Sequence, residues 1–155
     1  MKWLTQLAAF AGTALALALL PARAPAQEAV RVPILQEWKG AVQTSAPRGL
    51  APRKLFIADQ PSWNALWTAW RPNEPVPKVD FARELILVET APGRNASLAM
   101  SWRMDLLGNL TATQDFTSDD ATGFVYVIQK VKLTDDMRSV YGIWLSDPLS
   151  RPCGD

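Results

Sequence analysis

Phe56-Ile57-Ala58-Asp59-Gln60-Pro61-Ser62-Trp63-Asn64-Ala65-Leu66-Trp67-Thr68-Ala69-Trp70 reads as a strand end, a helix start and one apolar helical stripe. Trp63, Leu66, Trp67 and Trp70 fall at i, i+3, i+4 and i+7, the spacing that gathers four side chains on one side of an α-helix. Asp59 is placed to cap the first turn, and Pro61 sits where a missing N–H costs no intrahelical bond. Arg71-Pro72 ends the helix, so it spans about three turns. Each buried aromatic removes roughly 150–250 Å² from water, so at about 25 cal/mol per Å² three indoles contribute on the order of 10 kcal/mol gross. A helix this short cannot hold such a face alone in water. It requires a sheet to lie on.

Working outward, the chain supplies the strands. Residues 54–58 read as a short strand feeding the helix, and residues 34–42 as a first strand with Trp38 turned inward. Between them, residues 43–52 are a loop rich in Pro, Ser and Gly. Beyond the helix, Pro72, Pro75 and Pro77 keep the backbone extended until Val79-Asp80-Phe81. The continuous run Leu85-Ile86-Leu87-Val88 is apolar on both faces, which predicts a central strand covered on each side, one side by the tryptophan helix. Strict alternation from Ser97 to Leu106 places Leu98, Met100, Trp102, Met104 and Leu106 on one buried face. Gly108-Asn109 offers a hairpin turn into the Thr-rich residues 110–114, which suit a strand at or near an edge. Residues 124–131 are β-branched and aromatic and read as an inner strand. Residues 138–145 read as a last strand with Gly142 at a bend. Closely spaced strands with hairpin-length connections give an α+β class: a mostly antiparallel β-sheet or open sandwich with one dominant short amphipathic helix, about residues 60–70, packed on it.

The first residues have the three parts of a secretory signal: Lys2, an apolar run from Leu4 to Leu20, and small residues at Ala24-Pro25-Ala26. The expected organisation is a signal at residues 1–26, one globular domain at 27–147 and a flexible tail at 148–155. A cleaved signal is favoured over a membrane anchor because the run contains Thr5 and Gln6 and leads straight into a cleavage pattern. Removing it takes away Lys2 and Arg23, leaving 14 of the 16 basic residues against 15 acidic ones. A near-neutral, interspersed balance predicts neither nucleic-acid nor membrane-surface partners. The one cysteine, Cys153, allows no intramolecular disulfide; a free tail thiol is the expectation over a bond between chains. Histidine is absent, which excludes Ser-His-Asp and Cys-His catalysis and histidine-ligated zinc.

The succession Ile57, Asp59-Gln60, Trp63, Leu66-Trp67, Val79-Asp80-Phe81 and Glu84-Leu85-Ile86-Leu87-Val88 resembles the C-terminal domain of the PrcB family, with Gly123-Phe124-Val125-Tyr126-Val127-Ile128 as a later strand. That family comprises accessory subunits of protease complexes, and related exported bacterial proteins share the pattern. The resemblance implies a small sheet-and-helix domain without catalytic residues. PrcB-like domains carry a Gly-Gly-Tyr turn after the central strand, where this chain has Pro92-Gly93-Arg94-Asn95, and it lacks the lipoprotein cysteine of those subunits.

Other residues have two readings each. Asp80 and Glu84 could pair for acid–base work; a strand-entry turn with Asp80 accepting backbone N–H bonds is favoured. Asp115, Asp119 and Asp120 lack the spacing of a calcium loop and read as a solvated cluster. Asn95 and Asn109 head formal glycosylation triplets and read as turn residues. Trp63, Trp67, Trp70 and Trp102 read as core, whereas an exposed Trp38–Trp144 pair would mark a ligand surface. No cofactor or metal is expected. The leading expectation is a non-enzymatic exported domain, periplasmic or extracellular, that binds or stabilises another envelope or secreted protein such as a protease. A module binding a small ligand or carbohydrate through exposed aromatics is the alternative.

Overall fold

The computed structural model describes residues 29–146; the expected signal, the tail and Cys153 lie outside them. Helix α1 (Gln60–Trp70) is capped by Asp59, whose carboxylate accepts the Ser62 N–H at 2.8 Å. Among the described residues nine strands form two sheets: β1 (Val30–Arg31), β2 (Ile34–Val42), β3 (Phe56–Ile57), β4 (Glu84–Pro92), β5 (Leu98–Met104), β6 (Asn109–Phe116), β7 (Phe124–Lys132), β8 (Ser139–Val140) and β9 (Ile143–Trp144). One sheet has the order β2-β7-β4-β3 and the other β1-β5-β6-β8-β9. Every pairing is antiparallel except β6 with β8.

The four-stranded sheet is the middle of three layers. On β4, Ile86 and Val88 face the helix while Leu85 and Leu87 face the other sheet, so the apolar run is covered on both sides as its composition requires. β7 alternates likewise, with Phe124, Tyr126 and Ile128 toward the helix and Val127 and Val131 toward Met100, Trp102, Leu110 and Val140. Each helix indole finds a hydrogen-bond acceptor in a loop. Trp63 Nε1 donates to Pro77 O, Trp67 Nε1 to Glu74 O and Trp70 Nε1 to Pro47 O, at 2.9, 3.3 and 2.8 Å. The proline-rich segments on either side of the helix therefore serve as its polar lining, satisfying donors that would be costly to bury alone.

Arg71 closes the end of the helix. Its guanidinium donates to Tyr126 Oη at 2.6 Å, to Lys39 O at 2.6 Å and to the Glu74 carboxylate, and lies over the Trp67 and Tyr126 rings. The group joins the helix, β7 and β2 at one point. Beneath the Tyr126 ring lies Gly40, its cross-strand neighbour.

Three expectations are corrected. The first strand is expected at residues 34–42, yet Val30–Arg31 precedes it and pairs with β5; a strand of two residues is too short to show a period. Leu106, assigned to the buried face, is 64% exposed because β5 stops at Met104 and residues 106–108 form the hairpin loop. Residues 138–145 are not one strand but a hairpin folded at Tyr141-Gly142, both with positive φ (49° and 77°), the backbone of a two-residue turn that matches strand twist. The loop at 43–52 also contains a short 3-10 turn at Ala46–Leu50.

Candidate inter-sheet cleft and strand edge

β1 and β2 are one extended segment divided by Pro33, where the chain leaves one sheet for the other. Val32 N still donates to Trp102 O at 3.0 Å, after which β5 continues without a strand beside it. Because Trp102 O points toward β1, Met100 and Leu98 turn their N–H and C=O groups to the same side. Among the described residues, no strand pairs with residues 98–101 on this side, and of their main-chain groups there Met100 O is met by a side chain, that of Gln129.

A cleft of about 320 Å³ lies at this edge, lined among others by Leu35, Glu37, Met100, Ser101, Trp102 and Gln129. Gln129 is the polar exception inside the sandwich, 1% exposed on a face otherwise made by Val127 and Val131. Its Nε2 donates to Met100 O at 3.2 Å and to the Glu37 carboxylate, while its Oε1 meets no partner. Trp102 Nε1, on the facing sheet, meets none either. The three helix indoles are satisfied and this one is not. Buried polar groups are nearly always paired; of the three buried side-chain atoms without a partner among the described residues, Lys54 Nζ, Trp102 Nε1 and Gln129 Oε1, the last two belong to residues lining this cleft. Burial pushes the Glu37 carboxyl up, but the Gln129 amide and the Lys39 ammonium outweigh it and hold its pKa below the ordinary value. The carboxylate is thus charged at the mouth of the cleft.

The edge of β2 is guarded in a way that the edge of β5 is not. Arg71 caps Lys39 O, a register irregularity between Ile34 and Gln36 bends the strand, and Glu37 and Lys39 form an ion pair at 2.9 Å. Capping groups, bulges and charges are the usual means by which a strand edge is kept from pairing.

The residues singled out by sequence are dispersed. Trp63, Leu66, Trp67, Trp70 and Trp102 are buried. Trp38 and Trp144 do not form a pair: Trp38 packs against Trp63 and Trp67 with ring centroids 5.6 and 5.3 Å apart, while Trp144 is 58% exposed on the other sheet. Asp80 and Glu84 make the strand-entry turn. Asp80 Oδ1 accepts Ala82 N–H, Glu84 Oε2 accepts Asp80 N–H, and Glu84 Oε1 lies 3.3 Å from Lys130. Asp119 accepts N–H groups from Asn95 and Ala121 and so ties two loops together. Asn109 accepts from Ser139 and Gly142. Sequence reasoning missed Gln129 and the edge of β5. The one available signal was a glutamine amid the apolar residues 124–131.

Among the described residues no group of three or more acidic or cysteine side chains is arranged to hold a metal ion, and no helix is long and apolar enough to cross a membrane. The chain matches no family model, no curated protein and no solved structure.

Proposed function

We propose that the chain is a non-enzymatic exported domain that binds another envelope or secreted protein, a protease being one such partner. It does so by taking an extended segment of that protein along the edge of β5. The observation that carries this reading is the open edge at residues 98–101 beside a cleft with two unpaired buried polar groups. Main-chain hydrogen bonds to such an edge give affinity, and adjoining pockets for alternate side chains give selectivity. The PrcB-like succession of residues and the absence of histidine support the same reading. The alternative, a carbohydrate or small-ligand module using exposed aromatics, is left with Phe116, Tyr141 and Trp144, since Trp38 is taken up by the helix cluster.

A photo-crosslinking residue placed at Leu35, which is 51% exposed and lines the cleft, tests the reading against the same residue at Leu50, 50% exposed and outside the cleft. The expected result, in the exporting cell, is a discrete adduct from position 35 whose partner contributes a contiguous extended peptide, with none from position 50. Identical adduct patterns from both positions, or none from either, would reject edge docking.

A further inference from the structure

The outer face of the β1-β5-β6 sheet has a feature that edge docking does not use. Arg31 and Arg103 stand directly opposite one another on β1 and β5. Since Val32 N bonds Trp102 O, the Arg31–Arg103 position is a non-hydrogen-bonded pair, the kind whose Cβ atoms approach to about 4.5 Å. Like charges so placed repel unless something lies between them.

Most of the other surface cations are engaged. Lys39, Arg71, Arg83 and Lys130 meet carboxylates, and Arg48 and Arg94 donate to side-chain oxygens of Thr90 and Gln43. The side chains of Arg31 and Arg103 have no hydrogen bond, ion pair or ring contact among the described residues. Asp105, just past the end of β5, has Oδ1 taken by the Leu107 and Asn109 N–H groups. The two arginines line one hollow of about 510 Å³ together with Ser101, Ala29 and Val30. The sheet beside them is hydroxyl-bearing, with Thr111 opposite Arg103 and Thr113 opposite Ser101, and Asp115 follows opposite Ala99.

We infer that Arg31, Arg103 and Ser101 form an oxyanion site, taking a carboxylate or phosphate group of a ligand that lies on this face. Guanidinium forks match two oxygens at a time, and charge-assisted bonds of this type are about twice as strong as neutral ones. An anion between the two forks turns the repulsion into two attractions, and the Ser101 hydroxyl is a third donor. The anion site does not require edge docking, although it adjoins that cleft: Arg31 and Ser101 line both, and Arg103 lines the outer hollow.

The test is a ¹H–¹⁵N titration of the arginine Nε–H signals of the mature chain with inorganic phosphate, with acetate and with chloride, at constant ionic strength. Signals of Arg31 and Arg103 should move together and saturate with one dissociation constant in phosphate or acetate, while chloride produces no saturation. Arg103→Gln and Arg31→Gln should each weaken that constant about tenfold or more, whereas Arg53→Gln, a loop substitution away from the face, should leave it unchanged. Tighter saturation by phosphate assigns a phosphate-bearing ligand, and tighter saturation by acetate assigns a carboxylate. Linear, unsaturated shifts in all three salts, or a constant indifferent to both site substitutions, would overturn the proposal.

Discussion

Gly40→Ala tests whether the Arg71–Tyr126 junction is as rigid as its bonding implies. Gly40 has no positive φ, and an alanine in a strand is ordinarily better than glycine by roughly 0.5–1 kcal/mol. Here a Cβ would lie 2.7 Å from Cζ of Tyr126 and closer still to its hydroxyl oxygen. The ring cannot simply withdraw. Its hydroxyl is held by Arg71 at 2.6 Å, Arg71 is held by Glu74 and Lys39 O, and the Trp70 ring packs with its centroid 4.9 Å away. Overpacking of this kind costs about 1–3 kcal/mol, so after the backbone gain the net loss should be about 1–2 kcal/mol. In a Tyr126→Leu background the obstruction is gone and the same substitution should become neutral or stabilising. Urea denaturation of the four chains of this double-mutant cycle measures the effect, with a coupling of about 2 kcal/mol expected. If Gly40→Ala changes stability by the same amount in both backgrounds, the two residues are uncoupled and the junction is not the rigid clamp described.

Two further outcomes follow from packing and burial. Trp63→Ala, which empties a fully buried site at the centre of the indole cluster and orphans Pro77 O, should cost about 3–5 kcal/mol, whereas Trp144→Ala should stay within about 0.5 kcal/mol; chemical denaturation separates them, and equal losses would refute the assignment of Trp63 to the core. Burial pushes the Glu89 carboxyl above the ordinary carboxylate range, against the Thr90 N–H and Arg48, which pull it down. A folded-state pKa that is raised means a stability contribution fully present below the unfolded value and lost as pH rises through the folded one. Glu89→Gln should therefore gain on the parent chain as pH rises from the ordinary carboxylate value through the raised one, and stability curves that stay parallel there would contradict it.

The layers of the fold were legible because they rest on local periods. The helix repeat from Trp63 to Trp70, the two-faced run Leu85 to Val88 and the alternation from Leu98 to Met104 each state which face is buried without reference to distant residues. What was not legible depends on partners far apart in sequence. Arg71 and Tyr126 meet across 55 residues, and Gln129 reaches Glu37 across 92. Nothing local assigns the pairing of Arg31 with Arg103, because register is decided by the β1–β5 alignment and not by either residue. Tyr141 with a positive φ is likewise invisible: side-chain type predicts glycine or asparagine there, and tertiary contact supplies the reason. Its hydroxyl bonds the main chain of Ala112, and its ring packs on Trp102. The candidate site was illegible for the same reason, being made by two strands parting company at Pro33.

The two sides of the middle sheet have been completed to different degrees, and this asymmetry bears on where the molecule acts. On the helix side the three buried indole donors each have an acceptor, and the adjoining edge of β2 is closed by Arg71. On the other side an indole donor and a glutamine carbonyl are unpaired, and β5 outruns its partner strand. β8 and β9 contribute two residues each. A polar group left unpaired in the interior costs on the order of 1–3 kcal/mol, comparable to a sizeable fraction of the net stability of a small domain. The tryptophan helix is well placed to bear that cost, since its buried rings supply several times as much. The most conspicuous residues of the sequence are thus the ones that permit a site, and the site itself is made by inconspicuous ones.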